Sequence, residues 1–484
     1  MKIDFIEEPE LEFGTGRHID IRYGLANYGP LDFANPLSPR QINTGVVGTP
    51  ETVERLLEWL EKCRNGIPAK ESSQPNLFPH FPGFRLDNNL NTTLVLDSQL
   101  QRTILDREFD KLKPLSGTDL AVERSVELFR SEIQILTERT KPHVVLCAVP
   151  MQLIKQNRLI KHDPAIAEQH SDGAEENRFT LDFHHLLKAK AMDLGVPIQI
   201  VLPMTYDPSK RLSQKRSTIM LKTMQDEATR AWNLHVALYY KAGGTPWRLV
   251  RDPRALTTCY VGVSFYESLD KTRLLTSLAQ VFNERGDGVV VRGGAAQLAK
   301  DDRQPHLAEQ GAHDLLASAL DAYEREHRTT PARLVLHKSS LFDENECSGF
   351  AKVLKARRIY SADFLTLHQS DAKLFRTSFY PSLRGTLLTL DDESLALYTR
   401  GSVDFFSTYP GLYAPQALGV RLQATEQTAL FLAEEILALT KMNWNNTQFD
   451  GFEPIDLRGS RQVGRILKYV PEGKRIQPRY SYYM

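Results

Sequence analysis

The sequence predicts an α/β protein in two parts, and three observations carry that prediction. From about residue 41 to 250, short apolar runs alternate with helix-periodic segments, the pattern of a mostly parallel, Rossmann-like sheet with ligands at its loop ends. From about 255 to 484, a leading strand, a hairpin-like pair, then helix and strand follow, an order compatible with a ribonuclease-H-like fold. At 484 residues and 41% hydrophobic, the chain is long and apolar enough to bury several cores.

The elements follow in order. Residues 1–40 carry Phe13-Gly14-Thr15-Gly16, then Asp20 to Leu25, then Tyr28-Gly29-Pro30; glycine and proline at this density predict an arm of turns and extended chain, not a helix. Thr49-Pro50-Glu51-Thr52 reads as a helix start with proline in its first turn, running through 53–62. Pro75, Pro79 and Pro82 make 68–84 a loop. A helix over 123–139 places Val126, Phe129, Ile133 and Leu136 on one side, and 143–149 follows as a buried strand. Helix 184–193, strand 197–202, helix 213–231 and strand 234–240 complete the repeat. Beyond it, strands are predicted at 259–263, 288–292, 333–337, 385–390 and 395–398, with helices at 304–326 and 424–440. Gly293-Gly294 has the form of a tight hairpin turn.

Composition narrows the function. No apolar run reaches the roughly 18 residues of a membrane span, and the start Met-Lys-Ile-Asp-Phe-Ile-Glu-Glu lacks a secretory pattern. Cys63, Cys147, Cys259 and Cys347 show no Cys-x-x-Cys pairing, which argues against a disulfide framework or structural zinc and for a reducing cytoplasm. His18, His80 and His337 lack metal-ligand spacing. The 60 basic and 60 acidic residues cancel, but they segregate. From 457 onward stand Arg458, Arg461, Arg465, Lys468, Lys474, Arg475 and Arg479 against Glu472, and a second stretch holds Lys210, Arg211, Lys215, Arg216 and Lys222 against Asp207. A solvated surface is the plain reading of either stretch alone. Together they suit a groove that tracks a nucleic-acid backbone.

The most specific signal is a set of polar residues in the first half. His184 and Lys188 are four apart and share a helix face. Gln199 follows a Gly195-Val196-Pro197 turn, and Lys241 opens a Lys-Ala-Gly-Gly turn. Two ammonium groups, an imidazole and an amide beside a helix terminus suit one small, highly charged anion such as a terminal phosphate. This set resembles the guide 5′-phosphate pocket in the MID domain of Argonaute proteins, which uses an aromatic or His, a Lys four later, a Gln after a turn, and a Lys in a Lys-x-Gly-Gly turn. Tyr206 could stack on the first guide base, with a surface-loop tyrosine an equal reading.

The resemblance covers nearly the whole chain: a linker arm (1–40), a MID domain (41–250) and a PIWI domain (251–484), as in short prokaryotic Argonautes without N and PAZ domains. Family nucleases use carboxylates to hold two divalent metals that clamp the attacking and leaving oxygens. Here Gly262-Val263-Ser264 has serine where the family has Gly-x-Asp, and Ser339 falls at the next matching position. A neutral hydroxyl is a weak ligand for a hard cation. Glu267, three past Ser264, faces the other side of its strand, and Lys338 beside Ser339 further disfavours a cation. The last catalytic position falls near Ser460, with Asp456 the nearest carboxylate. The resemblance thus implies a cleavage site that has lost its ligands. It also matches Arg465 to a PIWI arginine that reaches for the guide phosphate, and assigns Lys210, Arg211, Lys215, Arg458 and Arg461 to the guide and target backbone; a solvated helix face is an equal reading for Arg458 and Arg461. The chain finishes Tyr480-Ser481-Tyr482-Tyr483-Met484, and in the family the terminal carboxylate and the glutamine share a divalent cation with the phosphate, which implies Mg2+ at Met484 and Gln199.

The function so implied is recognition of single-stranded invader DNA by a 5′-phosphorylated small guide RNA, with pairing reading the sequence and the protein contacting the backbone. Cutting is not expected. The expected partner is a chain with an APAZ domain and a sirtuin-type NADase, or else a TIR-type NADase or a nuclease, whose activation depletes NAD in a cell invaded by plasmid or phage. Two other readings stay open. One is an active guide-directed nuclease using Asp270, Asp301 or Asp302, Asp343 and Asp456. The other is a phosphate-binding α/β enzyme acting on a nucleotide or small metabolite.

Overall fold

The structure, a computed structural model, describes residues 1–157, 181–207, 209, 225–250, 252, 254–282, 288–377, 381–409, 414–448 and 450–484. Lys210, Arg211 and Lys215, with Arg216 and Lys222, lie outside the described residues. The chain divides into two compact units: Pro39–Lys70, His80–Gly244 and Met484 form the smaller, while Met1–Ser38, Glu71–Pro79 and Thr245–Tyr483 form the larger. Residues 1–38 therefore belong to the larger unit. Among the described residues no helix is long and apolar enough to cross a membrane.

The smaller unit is built on a parallel sheet. Strands β1 (Gln41–Gly48), β2 (Thr93–Val95), β3 (Gln101–Thr103), β4 (Val144–Ala148) and β5 (Ile198–Val201) run in the order β2-β1-β4-β5, with β3 also paired to β1. All four pairings are parallel. A strand buried on both faces reads as a continuous apolar run, and every residue of β4 is buried. Helix α1 (Pro50–Asn65) starts where the Thr49–Thr52 capping box and Pro50 predict, and turns the apolar stripe Val53, Leu56, Leu60 and Cys63 inward. Helix α2 (Asp119–Arg139) does the same with Val122, Val126, Phe129, Ile133 and Leu136 after its Thr118 cap. Helix α3 (Phe183–Ala191) is capped by Asp182.

One element of this unit differs in kind from the prediction. Residues 234–240 are the second half of helix α4 (Glu227–Lys241), capped by Asp226, and not a strand. Every residue from Leu234 to Lys241 is buried, so the helix shows no polar face there to mark its 3.6-residue period. The expected helix over 213–231 falls largely outside the described residues, and the helical turn observed starts at Glu227.

The larger unit holds a ten-stranded mixed sheet. Its strands are Lys2–Phe5, β6 (Thr258–Glu267), β7 (Leu274–Phe282), β8 (Gly288–Leu298), β9 (Pro305–His306), β10 (Arg333–Lys338), β11 (Ser361–Gln369), β12 (Thr386–Thr389), β13 (Ser394–Leu397) and β14 (Leu418–Ala424). Starting from Lys2–Phe5 the order is β12-β13-β14-β11-β10-β6-β7-β8-β9. The central β6, β10 and β11 are parallel and their neighbours antiparallel. Residues alternate across β6: Cys259, Val261 and Val263 join the core under α5 (Glu309–His327) and α6 (Glu344–Arg357). Gly262, on the opposite face, meets α8 (Ile455–Leu467). A Cβ on Gly262 would lie 2.2 Å from the Asp456 carbonyl, so only glycine lets this helix approach. A further helix is α7 (Ala429–Leu439).

Several expectations for this unit are corrected. The N-terminal arm contains a helix, Ile21–Tyr28, because Asp20 caps it by accepting from the Arg22 and Tyr23 amides and Gly29 ends it at φ 72°. Gly293-Gly294 is not a hairpin turn. Leu275 pairs with Ala295 and Ser277 with Arg292, so the glycines form a β-bulge within β8. The helix expected from 304 begins at Glu309, after β9, and the one expected from 424 begins at Ala429, after β14.

Candidate nucleic-acid interface

Helix α3 and its cap position the first two residues of the candidate site. Asp182 accepts the His185 amide at 2.8 Å and fixes the helix start. One turn on, Lys188 shares a face with His184 and is 2% exposed. Its ammonium donates to the carbonyl oxygen of Met484. Gln199 lies on β5 opposite Leu146 of β4, and its Nε2 donates to the Ile200 carbonyl at 3.4 Å. Lys241, 5% exposed, is the last residue of α4. The chain then turns through Gly243 at φ 95° and Gly244, whose amides donate to the Tyr240 and Tyr239 carbonyls at 2.9 Å.

The electrostatics of these groups run one way. Burial, then the Lys241 ammonium, pushes Lys188 well below the usual lysine range. Burial alone lowers Lys241 to about 7. His184 is also held well below its ordinary value, by burial first and then by Lys188 and His185. Burial pushes the Cys147 thiol up, with Lys188 opposing. Each cation is thus destabilised by its desolvation, and an anion in reach of both lysines would relieve that strain. Two polar atoms here call for a ligand, the Gln199 oxygen for a donor or a cation. His184 Nδ1 and Gln199 Oε1 are buried without a hydrogen-bond partner, which is uncommon for buried polar atoms.

The larger unit holds the serines assigned to the lost cleavage site. Val263 pairs with Lys338 and the Ser339 amide donates to the Val263 carbonyl at 3.2 Å, so Ser339, the residue after β10, stands beside Ser264 within β6. The Ser264 and Ser277 hydroxyls are 3.1 Å apart, and Ser277 Oγ donates to the Ser460 carbonyl at 2.8 Å. The Asp456 carboxylate is bonded through one oxygen: His337 Nδ1 lies 2.7 Å from its Oδ2, with both side chains buried, while its Oδ1 has no hydrogen-bond partner. Lys338 does not bear on this place as expected. It alternates to the other face of β10, where its ammonium is 2.6 Å from Glu346 Oε2 and lies over the Phe265 and Phe342 rings. Carboxylates of the nuclease alternative have local partners, with Asp302 and Asp343 both beside His306. Asp270 accepts from Ser268 Oγ at 2.5 Å, Asp302 bonds His306 at 2.8 Å, and Asp343 caps α6.

Arg458, Arg461 and Arg465 fall on one stripe of α8, away from its buried face. Arg461 pairs with Glu453 at 3.0 Å. Tyr206 is not on the surface. At 7% exposure its hydroxyl lacks a partner, and it lines a recess of about 100 Å³ with Thr49, Thr52, Pro150 and Pro203. Sequence reasoning missed Asp182 and His185. Their signal was present as an N-cap residue followed by adjacent histidines, but a second histidine beside His184 carries no spacing pattern. Among the described residues, two sets of three side chains bring ligand atoms close enough for one cation: Asp182, His184 and His185, and His306, Asp343 and Glu346.

The chain has the fold of Argonaute and Piwi proteins. It superposes on Clostridium butyricum Argonaute bound to a guide DNA and a 19-mer target DNA with a TM-score of 0.66 at 15% identity, covering 98% of this chain and 53% of that one. For Drosophila Piwi the TM-score is 0.59 at 14% identity, covering 99% and 56%. For A. aeolicus Argonaute it is 0.58 at 14% identity, covering 98% and 54%. The chain therefore spans about half the length of each. No protein-family model matches the sequence, and no curated protein matches it significantly.

Proposed function

We propose that this chain anchors the 5′-phosphate of a small guide RNA at His184, Lys188, Gln199 and Lys241, and uses the guide to recognise single-stranded DNA without cutting it. The observation that carries this reading is the pair of buried lysines, Lys188 and Lys241, in one unit with the unpartnered polar atoms of His184 and Gln199. A phosphate would accept from both ammonium groups and from an imidazole N–H, while the Gln199 Oε1, itself an acceptor, needs a donor or a cation beside that phosphate; hydrogen bonds to a charged partner contribute about 1.5–3 kcal/mol each. The fold favours a nucleic-acid ligand over a metabolite, since matched structures hold a guide DNA with target DNA and a guide RNA with a 5′-OH. Arg458, Arg461 and Arg465 offer a basic stripe for backbone contacts.

The Met484 carboxylate and Gln199 Oε1 are oxygen donors of the kind Mg2+ takes, and the ion would supply the charge that lets a carboxylate stand beside a phosphate. The non-cutting part of the reading rests on Ser264 and Ser339, neutral hydroxyls where a two-metal site needs carboxylates. With no cutting of its own, the chain would act through a partner in a heterodimer. The partner proposed is an APAZ-domain chain with a sirtuin-type NADase, with a TIR-type NADase or a nuclease as the alternatives. NAD depletion in defence against plasmid or phage would follow.

The test is extraction of nucleic acid from the purified chain, with end-labelling before and after phosphatase, for wild type and Lys188→Ala/Lys241→Ala. Short 5′-phosphorylated RNAs in the wild type, lost in the double variant, are expected. A folded wild type without nucleic acid would overturn the guide reading. Metal-dependent cleavage of a paired target would overturn the non-cutting part alone.

A further inference from the structure

Three side chains at the start of α3 form a cluster of which the proposed guide pocket uses only His184. Asp182, His184 and His185 each place a ligand-capable atom within 4.8 Å of the other two. The imidazoles stand edge to face with centroids 5.3 Å apart. Part of this is ordinary helix capping: the Asp182 carboxylate accepts the His185 amide at 2.8 Å, and His185 Nδ1 lies 3.0 Å from it. Capping leaves His184 outside. Its Nδ1 is buried without a hydrogen-bond partner, on the residue next to a second imidazole and two from a carboxylate.

The geometry points to a binding site for a transition-metal cation such as Zn2+, with His184, His185 and Asp182 as its three protein ligands and at least one coordination position left open. Metal–nitrogen bonds of about 2.0–2.1 Å and metal–oxygen bonds of about 2.0–2.2 Å hold ligand atoms about 3–4 Å apart, and these three lie within 4.8 Å of one another. Two imidazoles and one carboxylate with an open position is a donor set that Zn2+ commonly takes. The nitrogen donors also decide which ion binds. Imidazole suits Zn2+, Ni2+ and Cu2+, while Mg2+ prefers oxygen, so this site differs in kind from the oxygen donors Gln199 and Met484. Lys188 and Lys241 oppose a cation here, and the Asp182 carboxylate offsets part of that field. The second cluster, His306, Asp343 and Glu346, does not compare. The Lys338 ammonium, 2.6 Å from Glu346 Oε2, already occupies the place of a cation there.

This metal site shares His184 with the proposed phosphate pocket, so its test uses no nucleic acid and reads metal binding alone. The full chain, free of any histidine tag and stripped of metal and nucleic acid, is titrated with Co2+ as a visible stand-in for Zn2+. About one Co2+ per chain should bind, with the absorption of a nitrogen-ligated ion, and should be displaced by Zn2+ but not by excess Mg2+. His184→Ala should weaken binding by about tenfold or more, since removing even an outer-shell partner costs about 10–100-fold. His184→Gln, close to histidine in volume, should lose binding equally while melting like the wild type, which separates lost ligation from lost folding. No Co2+ signal in the wild type, or a signal that survives both substitutions, overturns the site. A chain that binds guide RNA but no Co2+ loses only this inference, and one that binds Co2+ but no guide retains it.

Discussion

His235 illustrates how one residue's environment sets a measurable property. It is 1% exposed in a box of Phe81, Phe84, Trp232 and Tyr239, and neither ring nitrogen has a hydrogen-bond partner. Burial lowers it to about 3 from an ordinary 6.5. The folded chain keeps this imidazole neutral, whereas the unfolded chain takes up its proton below about pH 6.5. The unfolded state therefore binds more protons between about pH 6.5 and 3, and stability falls as pH drops through that window, by at most about 1.4 kcal/mol per unit. His235→Phe should flatten that acid limb, read as the urea midpoint from pH 7 to pH 4; equal slopes in both proteins would refute the assignment. A second residue-scale prediction concerns Gly262. A methyl group added there would meet the backbone of α8 at 2.2 Å, and backbone gives less readily than a side chain. Gly262→Ala should therefore cost about 3 kcal/mol or more in denaturant unfolding. What was legible at this scale was chemistry at regular spacing: His184 and Lys188 stand on one helix face as their interval requires. The duty of Gly262 was not legible, because it depends on a helix almost two hundred residues further along the chain.

Elements were legible where they have one wet and one dry side. Helix α1 announces itself through its start signal and apolar stripe, and α2 through its stripe alone, since its Thr118 cap precedes the start expected at 123; the structure keeps both helices. Helix α4 did not, because burial on all sides over its second half erases the period, yet Lys241 still ends it beside a glycine turn. The right residue was reached through the wrong element. Gly293-Gly294 misled in the opposite sense, since a glycine pair signals a turn and a bulge alike, and only the register against β7 separates them. Helix α4 also yields a prediction. The Asp226 carboxylate accepts the Thr229 amide at 3.0 Å at one end, while Lys241 stands at the other, about 22 Å away along the axis. Asp226→Ala should lower stability by about 1 kcal/mol through the lost cap and leave the affinity for a 5′-phosphorylated RNA within about twofold. Calorimetry and filter binding on one preparation check both halves, and a large affinity loss would mean that the cap positions Lys241 after all.

Across the whole molecule the charges cancel, 60 against 60, so no net field draws a polyanion from a distance. Affinity for a guide must then come from local contacts of two physical kinds. Exposed arginines that touch backbone phosphates make binding salt-dependent, with a slope of about −0.7 per phosphate neutralised on a single strand. Buried lysines are screened little by salt but must carry their protons to hold an anion. The ratio of affinities for 5′-phosphate and 5′-hydroxyl RNA isolates the second kind, because backbone contacts cancel in it. That ratio should change little between low and high salt and should depend on pH. Lys241, lowered to about 7 in the free chain, is increasingly neutral above that pH, so binding must take up a proton and the ratio should fall by up to about tenfold per unit as pH rises. Below about pH 6 the terminal phosphate loses its second charge and the ratio should fall again. A maximum between the two limbs is expected, and Lys241→Met should lower the ratio and remove the upper limb's Lys241 contribution. A ratio that stays flat from pH 7 to pH 9 in the wild type would mean that Lys241 does not meet the phosphate, and the pocket would have to be redrawn around Lys188 alone.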